Sequence, residues 1–444
     1  MTDDVLDFLL SDFQQRPLPE LVRRDLRIPE VPRKALTLIG MRRSGKTYAL
    51  FDRMGRLLEQ GVPRERLFYL NLEDDRLAEP TVDTLARALE LFYRRNPEAR
   101  ASRAHLFFDE IQVVPGWERF LRRGIDTEEA QVYVTGSSAK LLSTEVASSF
   151  RGRGLAVEVL PFGLREAARS QGLDLGPAWP PASPLRSQIE ALTDRYLEQG
   201  GFPEVQHLHG FDRVQVLQEY VELVLLRDVI ERHAAGNLAA LRHLVRALFA
   251  ANAGPFSVSR LHGTLVSQGL KVGKPTLLAY LDHLCDAYLV FLVPIRSRSA
   301  KQRIVNPRKV YAVDPGLAAA MRAGGARDLG ALLENFVYLE LRRRLGRLAE
   351  GAIAYYRTAS GREVDFAVDP VLPGANLELV QVCANLQSAE TRERETRGLL
   401  EAMAETGADH ATIVTLAERG RIESAAGPIR IVPAWEWTLE PGAR

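Results

Sequence analysis

The feature that most constrains this chain is a complete GxxxxGK[ST] motif, which reads GMRRSGKT at residues 40–47. A short apolar run, ALTLIG, leads into it, and a helical pattern over residues 48–60 follows it. A strand, a glycine-rich turn and a helix N-terminus are the context in which this motif surrounds phosphates with backbone N–H groups. The sequence therefore predicts a nucleotide-binding loop formed by Gly40, Arg43, Ser44, Gly45, Lys46, Thr47 and Tyr48.

The residues that ATP hydrolysis needs follow this loop in the sequence. We expect Lys46 to reach the β- and γ-phosphates of ATP and the Thr47 hydroxyl to bind Mg²⁺. The apolar run 104–109 ends in Asp109, which is followed by Glu110. Asp109 is predicted to lie near the metal ion, and Glu110 to orient the attacking water. The structural alternative for this pair is an acidic turn after a core strand.

A further apolar run, residues 131–136, ends just before Ser137 and Ser138. A hydroxyl at this point could sense the γ-phosphate, so Ser137 is a predicted catalytic residue, although the same hydroxyls could cap a helix. Five apolar segments alternate with helical stretches: 35–40, 67–72, 104–109, 131–136 and 155–160. This alternation predicts a parallel, doubly wound α/β sheet with its ligand at the C-terminal ends of the strands.

The composition is that of a soluble protein with several domains. The 444 residues are 46% hydrophobic, and their net charge is +1. No apolar run reaches the roughly 18 residues that a membrane span requires. The first residues are acidic, unlike a signal peptide, and the two cysteines suit a reducing compartment. We therefore expect a cytoplasmic protein without a membrane span, in which any nucleic-acid-binding surface is local.

Six motifs in combination resemble those of bacterial and archaeal AAA+ ATPases that end in a domain of unknown function with a PD-(D/E)XK-like fold. They are GMRRSGKT, YLNLEDDR, FFDEIQVVPGWE, VTGSSAKLL, FRGRGLAVEVLPF and GGFP. The resemblance implies that Arg153, preceded by Gly152, is an arginine finger that reaches the γ-phosphate of a neighbouring subunit. Arg151 is the competing candidate, and a surface ion pair is the other role open to Arg153. A finger in trans implies a homo-oligomer, for example a hexameric ring.

Four segments follow from these patterns. We predict an AAA+ P-loop ATPase core at 1–175, a helical lid at 185–251, a winged helix-turn-helix at 252–316 and a PD-(D/E)XK-like α/β domain at 328–444. A proline-rich stretch, GPAWPPASP, separates the first two. Two helical patterns joined by a tight turn, followed by two strand patterns, indicate the winged helix.

A basic segment connects the two strands of this winged helix. RSRSAKQRIVNPRK, residues 296–309, contains six basic residues and no acidic one, and we expect it to form a basic wing. The predicted DNA contacts are Lys271, Lys274, Arg296, Arg298, Lys301 and Arg303, with Arg308 and Lys309 in the same wing. Such a surface binds DNA phosphates, and its affinity for DNA falls steeply as the salt concentration rises. The alternative is a winged helix that packs between domains and carries a merely solvated loop.

The last domain resembles a metal-dependent nuclease whose lysine has been replaced. Its pattern of elements, α, β, β, β, α, β, looks like the PD-(D/E)XK core. By that resemblance, Glu334, Asp365 and Gln381 are the metal-binding positions, and Cys383 stands where the lysine belongs. A cysteine cannot supply the positive charge beside the attacking water. No lysine occurs after Lys309, so we expect that none is available to this site.

Three functions remain open on the sequence alone. The main prediction is an oligomeric AAA+ ATPase that uses ATP and Mg²⁺ to remodel or move along DNA, either duplex or branched, with a degenerate nuclease-like domain that holds DNA. The second is a nucleotide-controlled regulatory switch that acts through protein partners. The third is an active metal-dependent nuclease.

Overall fold

A computed structural model describes residues 3–136, 152–176, 178–233, 236–322 and 328–441. The chain divides into two compact units, Met1–Leu160 and Pro161–Arg444. The first unit contains the GxxxxGK[ST] motif, and the second contains the basic segment and the C-terminal sheet.

The first unit is built on a five-stranded parallel sheet. Its strands are β1 (Ala35–Ile39), β2 (Leu67–Asn71), β3 (Ala104–Asp109), β4 (Ala130–Thr135) and β5 (Gly154–Glu158). They lie in the order β2-β3-β4-β1-β5, and every neighbouring pair is parallel. The predicted parallel α/β sheet is confirmed. Because β4 lies between β1 and β3, the end of β4 adjoins both the GxxxxGK[ST] loop and the acids that follow β3.

Helices pack around this sheet, and α2 shows how an apolar helix face covers it. The described helices are α1 (Asp3–Gln15), α2 (Lys46–Glu59), α3 (Val82–Arg95), α4 (Pro97–Ala101) and α5 (Trp117–Thr127). Leu50, Met54 and Leu57 recur along one face of α2 and are buried against residues of β1. The inner strands β1 and β3 are buried at every position, as expected for a sheet with helices on its faces.

The second unit begins with helices that pack on one another. They are α6 (Leu164–Ser170), α7 (Ser183–Gln199), α8 (Gly210–Leu223) and a π-helix (Val224–Glu231) that continues α8. Among the described helices of the chain, none is both long enough and apolar enough to cross a lipid bilayer.

A small three-stranded sheet with three helices follows. The helices are α9 (Leu238–Ala250), α10 (Val258–Ser267) and α11 (Lys274–Asp286), and α9 packs on both of the others. The strands are β6 (Pro255–Phe256), β7 (Val290–Val293) and β8 (Arg308–Ala312), with β8 in the middle and antiparallel to both neighbours. The basic segment lies between β7 and β8 and includes a short helix, α12 (Ala300–Val305). The sequence did not predict this helix.

The chain ends in a six-stranded mixed sheet. Two helices, α13 (Pro315–Met321) and α14 (Leu329–Leu345), and a short α15 (Ala349–Ala352) lead into it. The remaining elements are β9 (Ile353–Arg357), β10 (Glu363–Val368), β11 (Glu378–Val382), α16 (Ala389–Thr406), β12 (Ala411–Thr415), β13 (Gly420–Ile422), β14 (Ile429–Pro433) and α17 (Ala434–Leu439). Their order in the sheet is β13-β14-β12-β11-β10-β9. The predicted succession α, β, β, β, α, β is present from α14 to β12, and β13, β14 and α17 extend it.

Candidate active site

The GxxxxGK[ST] loop connects β1 to α2 through two glycines that other residues could not replace. A Cβ atom at Gly40 would lie 2.2 Å from the carbonyl oxygen of Val159. Gly45 has a φ of 95°, in the left-handed region, immediately before α2 begins at Lys46. The Lys46 ammonium donates hydrogen bonds to the carbonyl oxygens of Gly40 and Met41, each at 3.1 Å. The loop therefore folds around its own lysine at the N-terminus of a helix, as an anion-binding loop requires.

Asp109 lies beside this loop and is held by two hydroxyl groups. The residue is only 1% exposed. Thr135 donates to Oδ1 and Tyr69 donates to Oδ2 at 3.1 Å, and the Thr47 hydroxyl is near enough to lower the pKa of the carboxyl. Burial raises the pKa of Asp109, the Thr135 bond opposes this rise, and the charge of Glu110 adds to it.

The side chains of Thr47 and Asp109 fit a bound Mg²⁺ ion. Both offer oxygen ligands, which this hard cation prefers, and the Thr47 hydroxyl is close enough to Asp109 to lower the pKa of its carboxyl. A cation there would also favour the charged form of the Asp109 carboxyl, which burial disfavours.

Glu110 is oriented by its backbone conformation. Its φ is 52°, which is uncommon for a residue with a side chain and turns the chain sharply after β3. Its N–H donates to Thr135 Oγ1 at 2.9 Å, and its carboxylate accepts a hydrogen bond from Gln112 at 2.6 Å. Thr135 thus bonds both acids, which orients the partly exposed Glu110 carboxylate next to the buried Asp109.

Arg24 supports the loop from the segment before β1. Its side chain is 3% exposed. It donates to the carbonyl oxygen of Ser44 at 3.1 Å and to that of Leu160 at 2.7 Å. One guanidinium therefore fixes the middle of the loop relative to the chain after β5.

A third acid, Glu73, is electrostatically coupled to the same site. Burial raises the pKa of Glu73, and the charges of Glu110 and Asp109 add to this rise. The nearby positive charges of Arg42 and Lys46 act in the opposite direction. Glu73 follows β2, the edge strand next to β3.

A second cluster of acids, in the second unit, is organised around Lys309. Its Nζ atom lies 2.9 Å from one oxygen each of Glu334, Glu363 and Asp365. Only 3% of Lys309 is exposed. Burial alone would lower the pKa of this lysine, but the charges of Asp365, Glu334 and Glu363 outweigh it and raise the pKa, so the ammonium stays charged.

Two predictions about Lys309 are therefore wrong. The sequence places Lys309 in the exposed basic wing, yet it is buried in the acidic cluster. The C-terminal site is expected to have no lysine, but Lys309 reaches it from β8, the middle strand of the preceding small sheet. On an alternating strand, neighbouring residues point to opposite faces, so Arg308 is exposed while Lys309 points inward.

The other predicted metal-binding residues are also paired with protein groups. Glu334 Oε1 accepts a hydrogen bond from Tyr311 at 2.7 Å. Gln381 accepts one from the Asp365 N–H at 3.2 Å and donates to Glu395 at 2.8 Å. The structure thus brings Glu334, Asp365 and Gln381 together, as predicted. Cys383, at the end of β11, bonds the carbonyl oxygen of Asn385 instead.

Most of the predicted basic residues are exposed, and one is paired. Lys271 and Lys274 lie at the start of α11, and Arg298, Lys301 and Arg303 lie in or next to α12, all of them exposed. Arg296 differs, because it forms an ion pair with Asp369 at 2.9 Å. Two apolar side chains at the end of α12, Ile304 and Val305, are 79% and 71% exposed.

Comparison with known proteins identifies the first unit. Residues 32–168 match the family model described as an AAA domain. The first unit is therefore similar to AAA domains over these residues. Residues 190–328 and 329–437 match two further families, DUF8612 and DUF4143, both described as domains of unknown function. The AAA match includes the loop and the acids, and the other two matches carry no described activity.

Two relatives align with this chain over most of their length. An uncharacterised protein of Methanocaldococcus jannaschii is 29% identical over 440 residues, which cover 98% of this chain and 94% of the relative. An uncharacterised protein of Haemophilus influenzae is 26% identical over 328 residues, which cover 74% of this chain and 77% of the relative.

Solved structures show more distant likenesses. A Walker-type ATPase of Pyrococcus abyssi is 16% identical with a TM-score of 0.41, covering 65% of this chain and 91% of that one. The ORC1 protein of Aeropyrum pernix, in complex with DNA, is 15% identical with a TM-score of 0.26, covering 65% and 86%. Both TM-scores are below 0.5, so these likenesses do not bear on the function of this chain.

One predicted residue of the first unit, Arg153, lies away from the nucleotide loop. Arg153 directly precedes β5, where its carbonyl oxygen accepts the Ala35 N–H at 2.8 Å, and its side chain forms an ion pair with Asp126. It therefore lies at the N-terminal end of the parallel strands, whereas the loop follows the C-terminal end of β1. Ser137 and Arg151 lie outside the described residues.

Sequence reasoning missed three residues that support the AAA domain's nucleotide site. Thr135 is the last residue of a strand whose other residues indicate only a buried core strand. A hydroxyl at the C-terminal end of a central strand could have indicated a residue of the ligand site. In the sequence, Glu73 is distinguished only by its place in the YLNLEDDR motif, which does not indicate a role in the site. Arg24 has no signal in the sequence, because its partners are backbone carbonyls far along the chain.

Proposed function

We propose that this protein is an oligomeric, Mg²⁺-dependent AAA+ ATPase that binds DNA and remodels it or moves along it, with branched DNA among its substrates. The observation that carries the DNA part is the exposed basic segment between β7 and β8. Within it, Arg298, Lys301 and Arg303 are exposed, and no acidic residue interrupts residues 296–309.

The ATP chemistry is assigned to the residues around the loop. Lys46 and the backbone of residues 40–47 bind the phosphates, and Thr47 and Asp109 hold Mg²⁺, which neutralises phosphate charge when bound. Glu110 orients the attacking water, because its carboxylate is partly exposed and fixed by Gln112 at the loop. Arg153 serves as the finger for a neighbouring subunit. Its position at the N-terminal end of the strands, away from the loop that follows the C-terminal end of β1, supports a role in trans.

The small sheet and its three helices support a winged helix as the DNA-binding part. In this assignment α11 is the recognition helix, with Lys271 and Lys274 at its start, and the segment containing α12 is the wing. Arginine and lysine contact phosphates, and exposed aliphatic side chains such as Ile304 can insert between base steps in the minor groove. The combination of basic and apolar residues at one tip favours DNA over a purely solvated loop.

The C-terminal sheet is proposed to be a degenerate nuclease-like domain that holds DNA without cutting it. The succession of elements from α14 to β12 supports the fold assignment. The pairing of its acids with Lys309 supports the loss of cleavage, because these carboxylates are occupied by a protein cation.

Stimulation of ATP turnover by DNA tests the main proposal. We expect turnover to rise with duplex, single-stranded or branched DNA at low salt and the stimulation to fall steeply as salt increases. If none of the three DNA forms changes the rate, the DNA-remodelling proposal fails and a regulatory switch acting through protein partners takes its place.

A triple substitution locates the DNA surface. Arg298→Ala, Lys301→Ala and Arg303→Ala together should weaken DNA binding and reduce the salt slope by about one for each phosphate that is no longer neutralised. The matched control removes three exposed arginines elsewhere in the second unit, Arg186→Ala, Arg195→Ala and Arg421→Ala, and should leave the slope unchanged. Equal reductions in both triples would mean that only net charge matters.

Cleavage is tested directly with labelled DNA junctions and Mg²⁺ or Mn²⁺. We expect no cutting by the purified protein. Cutting that disappears in Asp365→Ala would establish an active nuclease and contradict the assignment of a degenerate domain, whereas cutting that survives Asp365→Ala would come from a contaminant.

A further inference from the structure

The Lys309 ammonium has three hydrogen atoms, and its three carboxylate neighbours account for all of them. Glu334 Oε1, Glu363 Oε1 and Asp365 Oδ1 each lie 2.9 Å from Nζ. They come from two different elements, α14 and β10, while the lysine comes from β8. A single cation therefore joins three carboxylates that would otherwise repel one another in a buried pocket.

Other protein groups also donate hydrogen bonds to these carboxylates. Arg357 donates to the second oxygen of Glu363 at 2.9 Å, and the Val382 N–H donates to the second oxygen of Asp365 at 2.9 Å. Tyr311 donates to Glu334 at 2.7 Å. Two protein cations and two neutral donors therefore contact five of the six carboxylate oxygens.

This arrangement does not fit a divalent metal ion. The oxygen atoms that would bind it surround the Lys309 nitrogen instead, and a second cation at that point would be repelled. Gln381 offers no compensation, because its amide oxygen accepts the Asp365 N–H and its nitrogen bonds Glu395. Among the described residues, no group of three or more histidine, cysteine or acidic side chains forms a metal site.

We propose that the Lys309 ammonium is the resident cation of this pocket, that it takes the place of a divalent metal ion among Glu334, Glu363 and Asp365, and that the C-terminal domain works without one. The inference rests on the contacts of Lys309 and not on the ATPase or DNA-binding proposals. Metal binding can therefore be measured without nucleotide or DNA.

Removal of the ammonium should convert the pocket into a metal site. The three oxygens lie 2.9 Å from Nζ, and Mg²⁺ binds oxygen at about 2.0–2.1 Å. An inward shift of less than about 1 Å would therefore place all three on a small divalent ion. Lys309→Met keeps the unbranched stem but removes the charge, which leaves three facing carboxylates without their shared partner.

The experiment is calorimetric titration of nucleotide-free, full-length protein with Mn²⁺. An Asp109→Asn background removes the predicted metal ligand of the ATP site. We expect the Asp109→Asn protein to show no Mn²⁺ binding that depends on Asp365. When Lys309→Met is added to it, one new Mn²⁺ site should appear, with an affinity at least ten-fold tighter than that of any Mn²⁺ site in the Asp109→Asn protein. Adding Asp365→Asn to Lys309→Met should abolish that site. The matched control, Lys301→Met, removes an exposed lysine and should leave Mn²⁺ binding unchanged.

Two results would overturn the proposal. One is Mn²⁺ binding by the background protein that Asp365→Asn removes, because the pocket would then hold a metal beside its lysine. This comparison does not require Lys309→Met to fold. The other is that the Lys309→Met protein folds but does not gain Mn²⁺ binding, and that Mn²⁺ raises its melting temperature no more than it raises that of Lys301→Met.

Discussion

Thr135 Oγ1 donates a hydrogen bond to Asp109 Oδ1 and accepts one from the Glu110 N–H at 2.9 Å. One hydroxyl thus links the acid assigned to the metal ion with the acid assigned to the attacking water. This linkage depends on strand order, because β4 lies beside β3 and its last residue, Thr135, adjoins the turn that carries both acids. Glu110 keeps its unusual left-handed backbone conformation at this same point.

The first prediction concerns Thr135→Val, which keeps the shape of the side chain and removes both hydrogen bonds. A hydrogen bond to a charged group contributes about 1.5–3 kcal/mol, so its removal at the reacting centre should lower ATP turnover by roughly ten- to hundredfold. The measurement is steady-state hydrolysis at saturating ATP, with nucleotide affinity determined separately.

Thr37→Val is the matched control for Thr135→Val. Thr37 is buried in β1, and its hydroxyl has no hydrogen-bond partner among the described residues. This control should therefore retain its turnover. If both variants are equally slow, the effect comes from the packing of the sheet, and the role given to Thr135 is wrong.

The sequence predicted elements better than it predicted contacts between distant segments. The loop at residues 40–47 and the acids after β3 form short motifs with a fixed local geometry, and the structure places Thr47 and Asp109 together as expected. Lys309 shows the opposite case. Its neighbours in sequence are basic, and only the pairing of β8 and the approach of α14 and β10 reveal that it points into acids. A cluster of one lysine and three acids formed across three elements leaves no periodic pattern that could predict it.

The second prediction concerns Arg24, which holds the nucleotide loop through the carbonyl oxygens of Ser44 and Leu160. Arg24→Met should free the loop, so that ATP binding must first order it, and the Kd for ATP should rise about tenfold. The rate at saturating ATP should change less. Titration with a fluorescent ATP analogue measures the affinity.

Arg23→Met provides the neighbouring control, because Arg23 forms an ion pair with Glu59 at the surface. Its affinity for ATP should stay within about twofold of the parent, as expected for an exposed pair. An unchanged Kd in Arg24→Met would show that the loop does not need this support.

The third prediction is a loss of stability at acidic pH through His105. Burial, together with the charges of Arg103 and Arg53, lowers the pKa of His105 to about 4. An unfolded histidine has a pKa of about 6.5. Between these two values the unfolded chain binds a proton that the folded chain does not, so stability is lost as the pH falls from about 6.5 towards 4, by up to about 3 kcal/mol.

His105→Phe should reduce this loss. The phenyl ring can replace the imidazole that stacks on Tyr133, and the imidazole Nδ1 has no hydrogen-bond partner among the described residues. Hydrogen exchange of the β3 amides at several pH values, corrected for intrinsic rates, measures the opening free energy of this strand. Parallel pH profiles in the two proteins would contradict the assignment to His105.

The fourth prediction is that Arg153 acts on the ATP of a neighbouring subunit. Arg153 precedes β5 and pairs with the start of β1, whereas the nucleotide loop follows the end of β1. Five residues of strand correspond to about 17 Å, so the side chain cannot serve its own loop across that length. Arg153→Ala and Lys46→Ala should each abolish turnover, the first by removal of the finger and the second by removal of the phosphate-binding lysine.

Mixing the two inactive proteins distinguishes a finger from a surface ion pair. In a mixed oligomer, a Lys46→Ala subunit supplies an intact Arg153 to the intact loop of an Arg153→Ala subunit, so about a quarter of the interfaces in an equal, random mixture should be active. Asp126→Ala breaks the ion pair that Arg153 makes within its own chain and should keep its turnover. If the mixture stays inactive although the subunits exchange, Arg153 is not a finger in trans, and the same mixing experiment with Arg151→Ala tests the other candidate.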